Sequence, residues 1–151
     1  MVQKLWEALS NGDIAQAVKL YNTAIAGMPY DDFPNRNDWY CSLFIMLLKG
    51  AGIVSYAEVH IFRGQSDLLL QFNNITIVLE FKFSQKSLQV ANMMKEGIFQ
   101  VRSREYAKSY TLYNRKIVMS VLVLMMRKGR LYLTNLWYYI KINCIKMIKY
   151  V

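Results

Sequence analysis

Asp67, Glu80 and Lys82 are the residues of this chain whose types and spacing could do chemistry together. Two β-rich runs, Ser66 to Phe72 and Ile75 to Phe83, are separated only by Asn73-Asn74, a pair suited to a two-residue hairpin turn. That turn sets residue 72 opposite 75 and pairs residues whose numbers sum to 147, so Asp67 falls directly opposite Glu80. The two carboxylates then approach within about 5 Å between Cβ atoms. Like charges this close repel unless a cation or a proton lies between them, and an oxygen-rich site with few protein ligands suits Mg²⁺. Lys82 shares their face, since side chains alternate along a strand.

The alternation also defines the opposite face of the hairpin. It carries Leu68, Leu70, Phe72, Ile75, Ile77, Leu79, Phe81 and Phe83, an unbroken apolar surface that should pack on a helix. The bland reading of the acidic face is a wet side of the hairpin with Lys82 as an ordinary ion-pair partner. A polar triad on a sheet whose companion face is so uniformly apolar argues for more.

The elements that must position these residues are legible on either side. Apolar residues recur at helical spacing from Asp13 to Ala26, with Gly27 as a stop, and prolines 29 and 34 mark a loop. A second helix is expected from about Asn37 to Lys49, ending at Gly50, and a strand from Ile53 to Ile61. Ser84 to Ser87 supplies caps for a long helix reaching roughly Tyr110, with Gly97 as a weak spot, and Lys116 to Leu124 reads as a further strand.

The chain resembles the PD-(D/E)xK nuclease superfamily through Gly64-Gln65-Ser66-Asp67, then Glu80-Phe81-Lys82, then Gln100 in the following helix. More narrowly it is similar to a bacterial nuclease-like domain often fused behind an AAA-type ATPase module, with Gln65 standing where that group has Arg and Tyr106 following Gln100. The resemblance covers roughly residues 12 to 123. It implies an α/β, restriction-endonuclease-like core with a central mixed β-sheet flanked by helices. It also implies metal ligation by Asp67, Glu80 and the Phe81 carbonyl, with catalytic roles for Asp67, Glu80, Lys82 and Gln100. In such sites Mg²⁺ (or Mn²⁺) neutralises the scissile phosphate and lowers the pKa of bound water, while the Lys ammonium orients the nucleophile.

The superfamily also places an acidic residue on the first core helix, and Asp38 or Glu58 could fill that role. At a helix start the macrodipole alone explains an acid such as Asp38, whereas Glu58 lies on the strand before the Gly64 turn. Lone His60 has no companion ligand and reads as an incidental strand residue. Lys86, Lys95, Arg102, Arg104, Lys108, Arg115 and Lys116 follow the triad and could track a phosphate backbone. DNA is the partner these features imply, and a homodimer is a further possibility. Should the site be silent, the alternative is a nuclease-fold module used for nucleic-acid or protein binding.

At 151 residues the chain fits one domain, and its formal charge of +9 is unevenly placed. Residues 1–123 hold thirteen Lys/Arg against ten Asp/Glu, whereas the last 28 residues add six bases and no acid. Two distant cysteines, Cys41 and Cys144, and a start that is no secretory signal point to a reducing cytoplasm. The apolar stretch from Ile117 to Met126 is about half a membrane span, so no membrane segment is expected. The tail from Leu124 departs from the family pattern. Codons for LMMRKGRLYLTNLWYY can be chosen so that a neighbouring frame reads NDEKRQIVFNEFVV, an acidic, amphipathic ending, which raises a shifted frame.

Overall fold

The computed structural model describes residues 1–26, 37–61, 64–84, 89–103, 116–127, 130–141 and 144–147. Of these, 37–40, 59–61, 64, 125–127, 130–141 and 144–147 are described in backbone alone. Four helices and six strands follow in the order α1 (Val2–Asn11), α2 (Ile14–Ile25), α3 (Asn37–Gly50), β1 (Ser55–Ile61), β2 (Gly64–Gln71), β3 (Ile75–Ser84), α4 (Val90–Ser103), β4 (Lys116–Arg127), β5 (Arg130–Lys141) and β6 (Cys144–Met147).

Helix α1, which the sequence reading did not anticipate, ends at Gly12 in a left-handed conformation (φ 76°), and the Gly12 N–H caps α1 on the Ala8 and Leu9 carbonyls. A Cβ there would also lie 2.7 Å from Ile75 Cδ1, so only glycine lets the corner sit against β3. The next residue, Asp13, caps α2 by accepting the Gln16 N–H at 2.9 Å. The two helices thereby turn Leu5, Leu9, Ile14, Val18 and Tyr21 into one buried face.

The strands form one mixed sheet in sequence order. β1, β2 and β3 are antiparallel, β3 and β4 run parallel, and β5 and β6 return antiparallel, so the residues of the tail make two strands at one edge. The Asn73-Asn74 turn has the expected register, with Leu68 opposite Leu79 and Leu70 opposite Ile77. A parallel pair needs a crossover, and α4 supplies it.

Both sheet faces are covered. On one, Leu68, Leu70, Ile77, Leu79, Phe81, Val118 and Leu122 pack with α1, α2 and α3. Phe44 of α3 lies between Tyr21 (centroids 5.2 Å) and Phe81 (5.6 Å), pinning β3 from that side. On the other, Leu69, Val78, Met119, Val121 and Val123 meet Met93, Met94, Ile98 and Val101 of α4. The face bearing the acids is therefore no wet surface, as a plain hairpin would leave it. It lies under α4 around Leu69, Val78 and Val121, while Tyr56 and Glu58 of β1 and Gln71 of β2 are exposed.

Helix α4 is described from Val90 to Ser103, and β3 continues to Ser84, the first of the expected capping residues; the expected continuation of the helix toward Tyr110 lies outside the described residues. Tyr106, Lys86, Arg104, Lys108 and Arg115 lie outside the described residues. Among those described, no helix is long and apolar enough to cross a membrane.

Candidate metal centre

Glu80 reaches the centre from a strand buried on both sides, and its side chain is 1% exposed. A carboxylate so placed needs a charged or hydrogen-bonding partner, since desolvation penalises the anion. Lys82, on the same face of β3, provides one, with Nζ donating to Glu80 Oε1 at 2.9 Å. The same ammonium donates to Gln100 Oε1 of α4 at 2.7 Å. Glu80, Lys82 and Gln100 thus form one chain of charge-assisted bonds across the sheet–helix interface.

Asp67 completes the group from β2. Phe72 donates its N–H to the Ile75 carbonyl, which makes 72 and 75 a hydrogen-bonded pair; alternation then makes 67 and 80 a non-hydrogen-bonded pair, the closer kind for side chains. Paired residues run only as far as Leu68 and Leu79. At the next step Asp67 Oδ2 accepts the Phe81 N–H at 2.7 Å, so a side chain replaces the ladder where the strands part. By the same alternation the backbone groups of Phe81 face β2, placing its carbonyl at that opening.

The parting is two-sided. Between β1 and β2 the pairs Ala57–Leu68 and Val59–Ser66 flank a missing pair, Glu58 with Asp67. Glu58 there takes a φ of 51°, rare for a residue with a side chain, while Gln65 Nε2 donates to its carbonyl at 3.2 Å. Extending the register of the flanking pairs would put Glu58, Asp67 and Glu80 on one line across three strands.

The structure brings together Asp67, Glu80, Phe81, Lys82 and Gln100. Glu58 stands at the exposed end of the line, and no three His, Cys, Asp or Glu side chains gather as a metal cage among the described residues. Asp38 lies in the first turn of α3 and is described in backbone alone, as is His60. Lys116 does not lie beside the triad. It pairs with Ile75 at the opposite end of β3 and donates to the Asn11 carbonyl at 3.3 Å.

Sequence reasoning missed the service Asp67 gives to the Phe81 N–H, because a break in a ladder leaves no local pattern. It also missed how tightly α4 sits on the sheet. A Cβ on Gly97 would lie 2.4 Å from Val121 Cγ1, so the apparent weak spot in the helix is its point of closest approach, and this holds Gln100 over Lys82.

No curated protein and no solved structure matches the chain. The family comparison does find a match, over residues 36–134, which takes in α3, the hairpin, α4 and β4. That span, with its acid-bearing hairpin and Lys-bearing strand beneath a Gln-bearing helix, places the chain in the PD-(D/E)XK nuclease superfamily.

Proposed function

We propose that the chain is a divalent-metal-dependent nuclease that hydrolyses DNA phosphodiester bonds. The observation that carries this reading is the buried Glu80 carboxylate, bonded to Lys82 Nζ at 2.9 Å and next in the chain to Phe81, whose N–H donates to Asp67 Oδ2 at 2.7 Å. The donor set fits a hard cation, since two carboxylates and the Phe81 carbonyl are all oxygen ligands at a point where the strands separate. Asp67, Glu80 and Phe81 would hold Mg²⁺ or Mn²⁺. Glu58, in line with Asp67, and Asp38, at the start of α3, are the candidates for a further acid.

When bound, such an ion supplies charge neutralisation at the phosphate and acidifies coordinated water. The chain's own residues do the rest. Lys82 presents an ammonium that orients the attacking oxygen or meets charge developing on the phosphate. Gln100 holds that ammonium in place, and the cover of α4 limits water around it. Among the described residues, Tyr56 and Glu58 on the β1 side are exposed, where a strand of DNA would enter. In the same reading the chain works in the cytoplasm on DNA, with a second copy of itself as a further partner.

Purified protein with Mg²⁺ or Mn²⁺ is expected to nick or cut DNA, and Asp67→Ala, Glu80→Ala and Lys82→Ala each to abolish this. Activity surviving all three changes overturns the site. Gln65, which stands where the similar bacterial group has Arg and is occupied by the Glu58 carbonyl, favours a second reading as a silent binding module. Titration calorimetry separates the two, because a silent module need bind no divalent ion at Asp67 and Glu80.

A further inference from the structure

Phe99 is 73% exposed, the most exposed of the large apolar side chains described, although the helix that carries it buries a full apolar face. The rotation of α4 is set by Gly97 against Val121, with Val101 buried one turn on. At about 100° per residue, Phe99, Lys95 and Arg102 then fall within roughly 60° of one another on the side away from the sheet. All three are exposed. Glu96 is the sole acid of the helix. Gln100, the neighbour of Phe99, accepts from Lys82 Nζ, so this stripe adjoins the candidate centre.

We infer that Phe99, between Lys95 and Arg102, is a stacking platform for an unpaired nucleobase, so that the strand handled by this chain is single-stranded where it crosses α4. The inference deepens the nuclease reading and rests on it for the identity of the ligand. An aromatic ring offers its face to any base, but only to one not already stacked in a duplex, and that selects single-stranded or frayed DNA. The flanking cations meet the phosphates on either side, being about 10 Å apart along the helix axis at 1.5 Å per residue. Lys95 and Arg102 supply affinity without sequence preference, and Phe99 supplies the preference for unpaired strand.

The test is fluorescence anisotropy of the full chain in EDTA with a labelled oligothymidylate of about 15 nucleotides and a matching duplex. Phe99→Ala is expected to weaken single-strand binding by roughly tenfold and leave duplex binding unchanged. Phe99→Trp should restore the affinity and show indole quenching absent from the parent. Lys95→Ala and Arg102→Ala should weaken both ligands and flatten the salt dependence.

Wild-type affinity of Phe99→Ala for the single strand overturns the proposal, as does a wild-type preference for duplex. Loss of a dimer in Phe99→Ala without loss of DNA binding reassigns the patch to protein contact and also overturns it. Because binding is read without metal, an inert but DNA-binding protein counts against the nuclease chemistry alone. Cleavage that ignores Phe99 counts against the platform alone.

Discussion

Asp67 Oδ2 accepts a hydrogen bond from the Phe81 N–H at 2.7 Å, across the step where β2 leaves β3. One carboxylate therefore braces the sheet and offers oxygen to the site. Its two services separate by substitution. Asp67→Asn keeps an acceptor for Phe81 and should unfold in urea near the wild-type midpoint, whereas Asp67→Ala should lose about 1–3 kcal/mol. Both should be inactive. Equal stability of the Ala variant and wild type would show that the bond does not support the ladder.

Lys82 Nζ lies 2.9 Å from Oε1 of buried Glu80, and the Lys82 side chain is itself 21% exposed. Lys82→Met should cost about 2–3 kcal/mol, because Glu80 loses a charged partner in a site remote from water. Adding Glu80→Gln should recover most of this, as the charge that needed compensation is gone. A double variant no more stable than the single, by thermal or urea unfolding, would argue that the pair is not energetically coupled.

Gln100 Oε1 accepts from Lys82 Nζ at 2.7 Å. Gln100→Leu should therefore lower kcat by about 10- to 100-fold with little change in KM, the pattern of a lost positioning contact. A rise in KM at constant kcat would instead give Gln100 a role in holding substrate.

At Gly97 the sheet leaves no room for a methyl group, since a Cβ at this position would fall 2.4 Å from Val121 Cγ1. Gly97→Ala should destabilise by about 1–3 kcal/mol despite the better helix propensity of alanine. Val121→Ala in the same chain should reverse the sign. If Gly97→Ala alone is stabilising, α4 can shift outward and its grip on Gln100 is looser than the geometry implies.

The acid-free tail supplies β5 and β6, and the family match runs into it as far as residue 134. If the frame is shifted, the encoding DNA read in the alternative frame after about codon 124 gives NDEKRQIVFNEFVV. Sequencing of the gene decides this, and an early stop codon in that frame ends the idea.

What the sequence determined by itself was local. Alternation and the Asn73-Asn74 turn determined the hairpin register as far as Leu68 opposite Leu79, one step short of Asp67 and Glu80, because a slip of one residue would put Leu68, Leu70, Ile77 and Leu79 on the wrong face. The Asp13 cap and the spacing of Ile14, Val18 and Tyr21 likewise determined α2. Only the tertiary structure decided which surface stayed dry. Periodicity marked the acid face as polar, yet packing of α4 on Val78 and Val121 buried Glu80 and brought Gln100 to Lys82 from 18 residues away. The opening of β2 from both neighbours at Asp67, and the reversed backbone of Glu58, were equally unreadable. Contacts between distant elements depend on how helices and strands fill space together, and no short window of sequence carries that information.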